Sequence, residues 1–207
     1  MTYSGEYLVK LARKTIETYL RGLVKIKIPK NAPKDLFDQS GTFVTLRRIS
    51  GLSSTPELRG CIGRIESPNS TLIQSTIDSA IDAAIHDPRF LAVKLEEMNS
   101  IIIEVTILTV PVILNVKTPE EYHNLIEIGK HGLIAERGSF QRGLLLPQVP
   151  VEQNWDLLTY LDNLCMKAHL PSNSWKDLNT KISCFEGLIY AEKTPNGPIV
   201  HKTFEED

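Results

Sequence analysis

IIIEVTIL, residues 101–108, is the stretch on which the reading of the fold turns. With TVPVIL it extends an apolar run to residue 114. That run is only 14 residues long, and Glu104 and Pro111 interrupt it. A membrane-spanning helix needs ~20 apolar residues, so the stretch is predicted to be a buried strand. Alternation along a strand places Ile102, Glu104, Thr106 and Leu108 on one face and Ile101, Ile103, Val105 and Ile107 on the other.

Further strands are predicted on either side. GTFVTLRRI (41–49) and RGCIGRI (59–65) lie before it. GLIAERGSFQRGLLLP (132–147) folds back at Gly138-Ser139, and a last strand covers 182–191. Helical spacing of apolar residues marks 5–24, 70–85 and 154–168. In the first helix Lys10, Arg13, Lys14, Glu17 and Arg21 are left for a solvated face. In the last, Leu157, Leu158, Leu161, Leu164, Cys165 and Ala168 form the inner stripe. Thr118-Pro119-Glu120-Glu121 opens a short helix, and Asp87-Pro88 is predicted to open another. Residues 27–40 are predicted to be a loop. Strands and helices mix without a regular βαβ alternation. The class is therefore α+β, a helix-flanked and mainly antiparallel or mixed sheet.

At 207 residues the chain is one domain, or two small lobes sharing a core. Hydrophobic residues make up 42% and charged residues 23%, which excludes disorder as a description of the whole. A net charge of -2 argues against a protein that coats nucleic acid by bulk charge. The N-terminus has no signal-peptide pattern. The cysteines, Cys61, Cys165 and Cys184, are odd in number and widely spaced, so free thiols in a reducing cytoplasm are expected. No CxxC and no zinc-type Cys/His spacing occurs, so no metal site is expected. No GxGxxG or P-loop is present, so no nucleotide cofactor is expected.

LRGCIG, residues 58–63, is the segment that carries chemical information. Two glycines in a short strand supply no packing, and they mark places where a backbone or ligand comes close. Regular alternation would put Arg59, Cys61 and Gly63 on one face. A guanidinium beside a thiol favours the thiolate, the reactive form. The competing reading makes Cys61 a small buried hydrophobe and Arg59 half of an ion pair.

The sequence resembles the AMMECR family, named for a human chromosomal region linked to Alport syndrome, midface hypoplasia and elliptocytosis. The matching stretches are GTFVTL (41–46), LRGCIG (58–63), DPRF (87–90), GKHGL (129–133), LLLPQV (144–149) and Trp155-Asp156, spread over residues 5–192 and closest in style to archaeal and bacterial members. The resemblance implies a single domain over 1–207, of two unequal lobes with both chain ends in the larger. It implies no established activity. Members occur beside or fused to Memo-type and radical-SAM proteins, and roles in RNA or DNA modification have been proposed for them.

Several residues join Cys61 as candidates. His131 is a possible base for the thiol, by the logic of cysteine nucleophiles. Asp87 and Arg89 either make an N-cap and ion pair or rim a cleft, with Arg89 ready for phosphate. Glu104, the one charge in its strand, is a catalytic candidate if buried. Residues 47–64 hold Arg47, Arg48, Arg59 and Arg64 against Glu57, a local +3. Three functions stand against one another. The first is an enzyme using Cys61, Arg59, His131 and Glu104, with Gly60, Gly63, Asp87 and Arg89 binding a nucleic acid or phosphorylated substrate. The second is a non-catalytic partner-binding module working with Memo-type or radical-SAM proteins. The third makes LRGCIG a packing motif only.

Overall fold

The computed structural model describes residues 4–50, 55–65 and 70–202. In chain order the elements are α1 (Gly5–Gly22), β1 (Thr42–Arg48), β2 (Glu57–Arg64), α2 (Leu72–Ile85), β3 (Ile101–Leu108), β4 (Val112–Ile113), α3 (Tyr122–Leu125), β5 (His131–Arg137), β6 (Gln141–Leu145), α4 (Gln148–Glu152), α5 (Leu157–Lys167), β7 (Lys181–Glu192) and β8 (Ile199–Lys202). Single 3-10 turns occur at Lys34–Phe37, Leu95–Ser100, Pro119–Glu121 and Ser172–Lys176. This is the expected α+β class, and the strand registers are antiparallel. The chain forms two compact units. One comprises Met1–Leu108 with Leu188–Thr203, and the other Thr109–Gly187, so β7 leaves the second and enters the first.

In the first unit β1 lies between β2 and β3, and β8 pairs with the end of β7. Alternation sorts the side chains as the sequence predicted. Val44, Leu46, Ile101, Ile103, Val105 and Ile107 point into one core, which α1 closes with Leu8, Ala12 and Ile16 and α2 closes with Ile73, Ile77 and Ala80. The α2 N-terminus is capped by Thr71, whose hydroxyl accepts from the Gln74 N–H.

One residue of α1 departs from the expected solvated face. Arg13 is 6% exposed. Its Nε and Nη2 donate to the two Glu192 carboxylate oxygens at 2.6 Å each, and Nη1 and Nη2 reach the Met98 and Ile101 carbonyls. Glu192 also accepts the Ile103 N–H. A charge is buried here because a full set of partners satisfies it.

In the second unit β5 and β6 form a hairpin, and β5 also pairs with β7. α5 packs on them through Tyr160, Leu161, Leu164 and Cys165. The helix is shorter than predicted because Asp156, accepting the Thr159 N–H, caps it. That start rotates Leu158 out of the stripe and into solvent. Trp175 is buried beside Tyr122, and its indole N–H donates to Asp162. No helix opens at Asp87-Pro88; residues 88–90 form a turn.

Candidate functional site

β2 stands at the end of the strand order and, among the described residues, pairs on one side only, with β1. The pairing slips within LRGCIG: Leu46 faces Gly60, but Arg47 faces Leu58, which leaves Arg59 as the extra residue of a bulge. A bulge re-aims its side chain and breaks alternation. Arg59 is therefore not a neighbour of Cys61 on a shared face. It is buried, with Nε and Nη2 on the Glu97 carboxylate (3.0 and 3.2 Å) and Nη1 on the Leu91 carbonyl (2.9 Å). Burial works against the Glu97 charge, but the Arg59 hydrogen bonds and the Lys94 N–H hold its carboxyl below the ordinary range.

The two glycines answer to close approach. A Cβ on Gly60 would lie inside 3.0 Å of the Ala83 carbonyl oxygen, so α2 rests directly on the strand there. A Cβ on Gly63 would meet the Phe43 ring and sit 2.5 Å from the Thr42 carbonyl oxygen.

The Cys61 peptide is held from the turn after α2. Its N–H donates to Asp87 Oδ2 at 2.8 Å, and its carbonyl accepts from Arg89 Nη2 at 3.3 Å. Arg89 also grips Asp87 through Nε and Nη2 at 2.9 and 2.7 Å. Asp87 is only 4% exposed, and the Arg89 guanidinium holds its carboxyl far below the usual carboxylate range. The pair thus occupies, at Cys61, the edge a further strand would take. The Phe90 ring centroid lies 5.5 Å from the Arg89 guanidinium and 6.0 Å from that of Arg59, and Leu91 is 89% exposed.

The Cys61 thiol accepts a hydrogen bond from Thr45 Oγ1 at 3.3 Å. Burial pushes the thiol up from its ordinary value and outweighs the Thr45 bond and the Arg89 charge. The expected activation by Arg59 is absent because the bulge turns that residue toward Glu97. Thr45 faces Cys61 on one side and Glu104 on the other, so three strands carry a polar row on one face. Glu104 is 8% exposed, with Lys202 Nζ at 3.4 Å and Arg47 Nε at 3.9 Å.

The fold therefore gathers Arg59, Gly60, Cys61, Gly63, Asp87, Arg89 and Glu104 in the first unit. His131 belongs to the second, where its Nδ1 accepts the Glu127 N–H and its Nε2 lies 3.7 Å from Glu186. The arginine-rich segment is matched by its own Glu57 and by three carboxylates from elsewhere. Arg48 meets Glu57, Arg59 meets Glu97, Arg64 meets Asp82 and Arg47 meets Glu104. Thr45, Glu97, Phe90 and Lys202 were not foreseen. Alternation in GTFVTL was a signal for Thr45, while nothing local marked Glu97 or Lys202.

Among the described residues no helix is long and apolar enough to cross a membrane, and no group of His, Cys, Asp and Glu is placed to hold a metal ion. The chain is 46% identical to a Pyrococcus abyssi protein over 199 residues, covering 96% of this chain and 95% of that one. It is 46% identical to a Methanocaldococcus jannaschii protein, at 96% and 94% coverage. The crystal structure of an uncharacterised protein from Pyrococcus horikoshii superposes with a TM-score of 0.80 at 46% identity, covering 96% of each chain. The AMMECR1 family profile matches residues 9–190, and the chain belongs to the AMMECR1 family.

Proposed function

We propose that the chain is a non-catalytic recognition module that docks a protein partner on β2 and residues 87–91, a Memo-type protein being the first to test. The observation that carries this reading is that the chemical equipment of LRGCIG is committed to structure. Arg59 is spent on Glu97 and the Leu91 carbonyl, and burial disfavours the Cys61 thiolate. Beside these held groups Leu91 projects into solvent, where an aliphatic side chain can serve as an anchor seated in a pocket of a partner. Calorimetric titration with a purified Memo-type protein is expected to show binding that Leu91→Asp abolishes and Cys61→Ser leaves unchanged. Binding indifferent to Leu91→Asp refutes the docking surface.

A second reading is favoured by the Cys61–Thr45–Glu104 row, a polar line that packing alone does not require. In that reading the chain is an enzyme acting on a nucleic acid or phosphorylated substrate, with Arg89 as the anion contact and Gly60, Gly63 and Asp87 shaping the site. Iodoacetamide alkylation of the folded protein, read by peptide mass, separates the two. A recognition module shows Cys61 slower than a free thiol throughout pH 6–9, whereas an enzymatic thiol reacts rapidly near neutrality.

A further inference from the structure

The second unit carries a fully exposed aromatic ring at an end with a local surplus of cations. Phe140 sits at the β5–β6 hairpin tip and is 96% exposed. The tip is anchored on both sides. Arg137 Nη2 meets Asp177 at 2.5 Å, Arg142 Nε meets Glu136 at 2.7 Å, and Gln141 Nε2 donates to the His169 carbonyl at 3.0 Å. Gly143 lets β6 press on the backbone of Lys167 and Ala168 at the end of α5. The hairpin tip, the α5 C-terminus and the Ser172–Lys176 turn therefore meet at one end of the unit.

The charge at that end is one-sided. Residues 136–142 and 166–181 hold five lysines and arginines against two acids, +3 in a chain of -2. The two acids are the ones paired with Arg137 and Arg142. What remains is Lys167, Lys176 and Lys181, all exposed. Lys176 acts on the Glu120 carboxylate and lies 5.2 Å from the Trp175 ring, while Lys181 stands opposite Glu136, which Arg142 takes; among the described residues Lys167 and Lys181 are thus the cations of this end without an ion pair.

We propose that this end of the second unit binds single-stranded nucleic acid, with Phe140 as a stacking platform for a base and Lys167 and Lys181 on the flanking phosphates. A projecting ring on a braced hairpin offers its π-face to any base, and uncompensated cations supply the affinity for the backbone. A duplex keeps its bases stacked, so it gains only the phosphate contacts. A protein partner is the lesser fit, since the surplus charge of this end is one that an anionic ligand would neutralise.

Fluorescence anisotropy with fluorescein-labelled (dT)15 and a hairpin duplex of equal charge tests the proposal on the full chain. Binding is expected at low salt, tighter for the single strand, with log K falling against log salt at a slope of about -1.4, or ~0.7 per lysine. Phe140→Ala should weaken (dT)15 binding about 5- to 100-fold at unchanged slope, and Phe140→Trp should preserve or tighten it. Lys167→Ala and Lys181→Ala should each lower the slope. Phe140 buries nothing, so thermal melting of Phe140→Ala should match that of the parent. Three results overturn the proposal: no binding of (dT)15 at 20 mM salt, equal affinity for single strand and duplex, or binding indifferent to Phe140→Ala. The first of these leaves Phe140 as an anchor for a protein.

Discussion

Replacing Gly60 with alanine tests the central contact of the site, the seating of α2 on β2. The added Cβ would fall inside 3.0 Å of the Ala83 carbonyl oxygen and 3.2 Å from its carbon. The obstacle is helix backbone rather than the end of a flexible side chain, so it cannot swing aside. Restoring van der Waals contact needs α2 and β2 to separate by roughly 1 Å, and Leu46, 3.7 Å from the new atom, must follow. Overpacking of this kind costs about 1–3 kcal/mol. For a chain of this length each kcal/mol lowers Tm by about 2–4 °C, so a drop of ~2–12 °C is expected. Gly22→Ala is the control. Its Cβ meets only a Val24 methyl at 3.9 Å at the end of α1, and the alanine should be neutral or stabilising by up to ~1 kcal/mol. Urea unfolding followed by circular dichroism reads both variants. If Gly60→Ala falls within ~0.5 kcal/mol of the parent with an unchanged m-value, the strand and helix do not meet as described and the account of the first glycine fails.

The buried Arg13–Glu192 pair predicts that Glu192→Leu alone costs about 3–5 kcal/mol while Arg13→Met with Glu192→Leu recovers most of it; equal losses in the two variants would show that the pairing is not what matters. Asp87, Asp82 and Glu97 all titrate below their ordinary values when folded, so the unfolded chain binds more protons in acid. Their contribution is whole above ~pH 5 and is lost as pH falls through the folded values, and Asp87→Asn should flatten that loss in urea midpoints measured from pH 2 to 6. Cys165, pushed up to about 11 by burial in the α5 core, should resist iodoacetamide until unfolding, and alkylation in the folded state would contradict its place in the stripe.

The parts of the fold legible in the sequence are those governed by local period. IIIEVTIL declared its strand because its β-branched residues alternate around a single charge, and α1 and α2 declared themselves by apolar spacing. Other features depend on residues far apart in the chain. Arg13 looked solvated because its partner, Glu192, is 179 residues away. The bulge at Arg59 was invisible because strand alternation is the default, and only pairing against β1 shows where it slips. β8 and β4 are too short to carry a period of their own and exist because β7 offers them an edge. Leu158 was misplaced because the Asp156 cap fixes the phase of α5, and an apolar pattern by itself leaves that phase free by a residue.

The same distinction bears on reading charge. Along residues 47–64 four arginines face a single acid, yet Asp82, Glu97 and Glu104 arrive from α2, the Leu95–Ser100 turn and β3 to meet them. At the β5–β6 hairpin end of the second unit the acids are used up by Arg137 and Arg142, Lys176 acts on Glu120, and the two lysines that remain, Lys167 and Lys181, are too sparse to draw notice in the sequence. A run of like charge therefore measures what the chain must neutralise on folding as much as what it shows to a ligand. The ligand-facing charge is the residue left after pairing. By that measure a polyanion has more to gain at Phe140 than at LRGCIG, and Arg59→Ala should alter stability while leaving the salt dependence of oligonucleotide binding untouched.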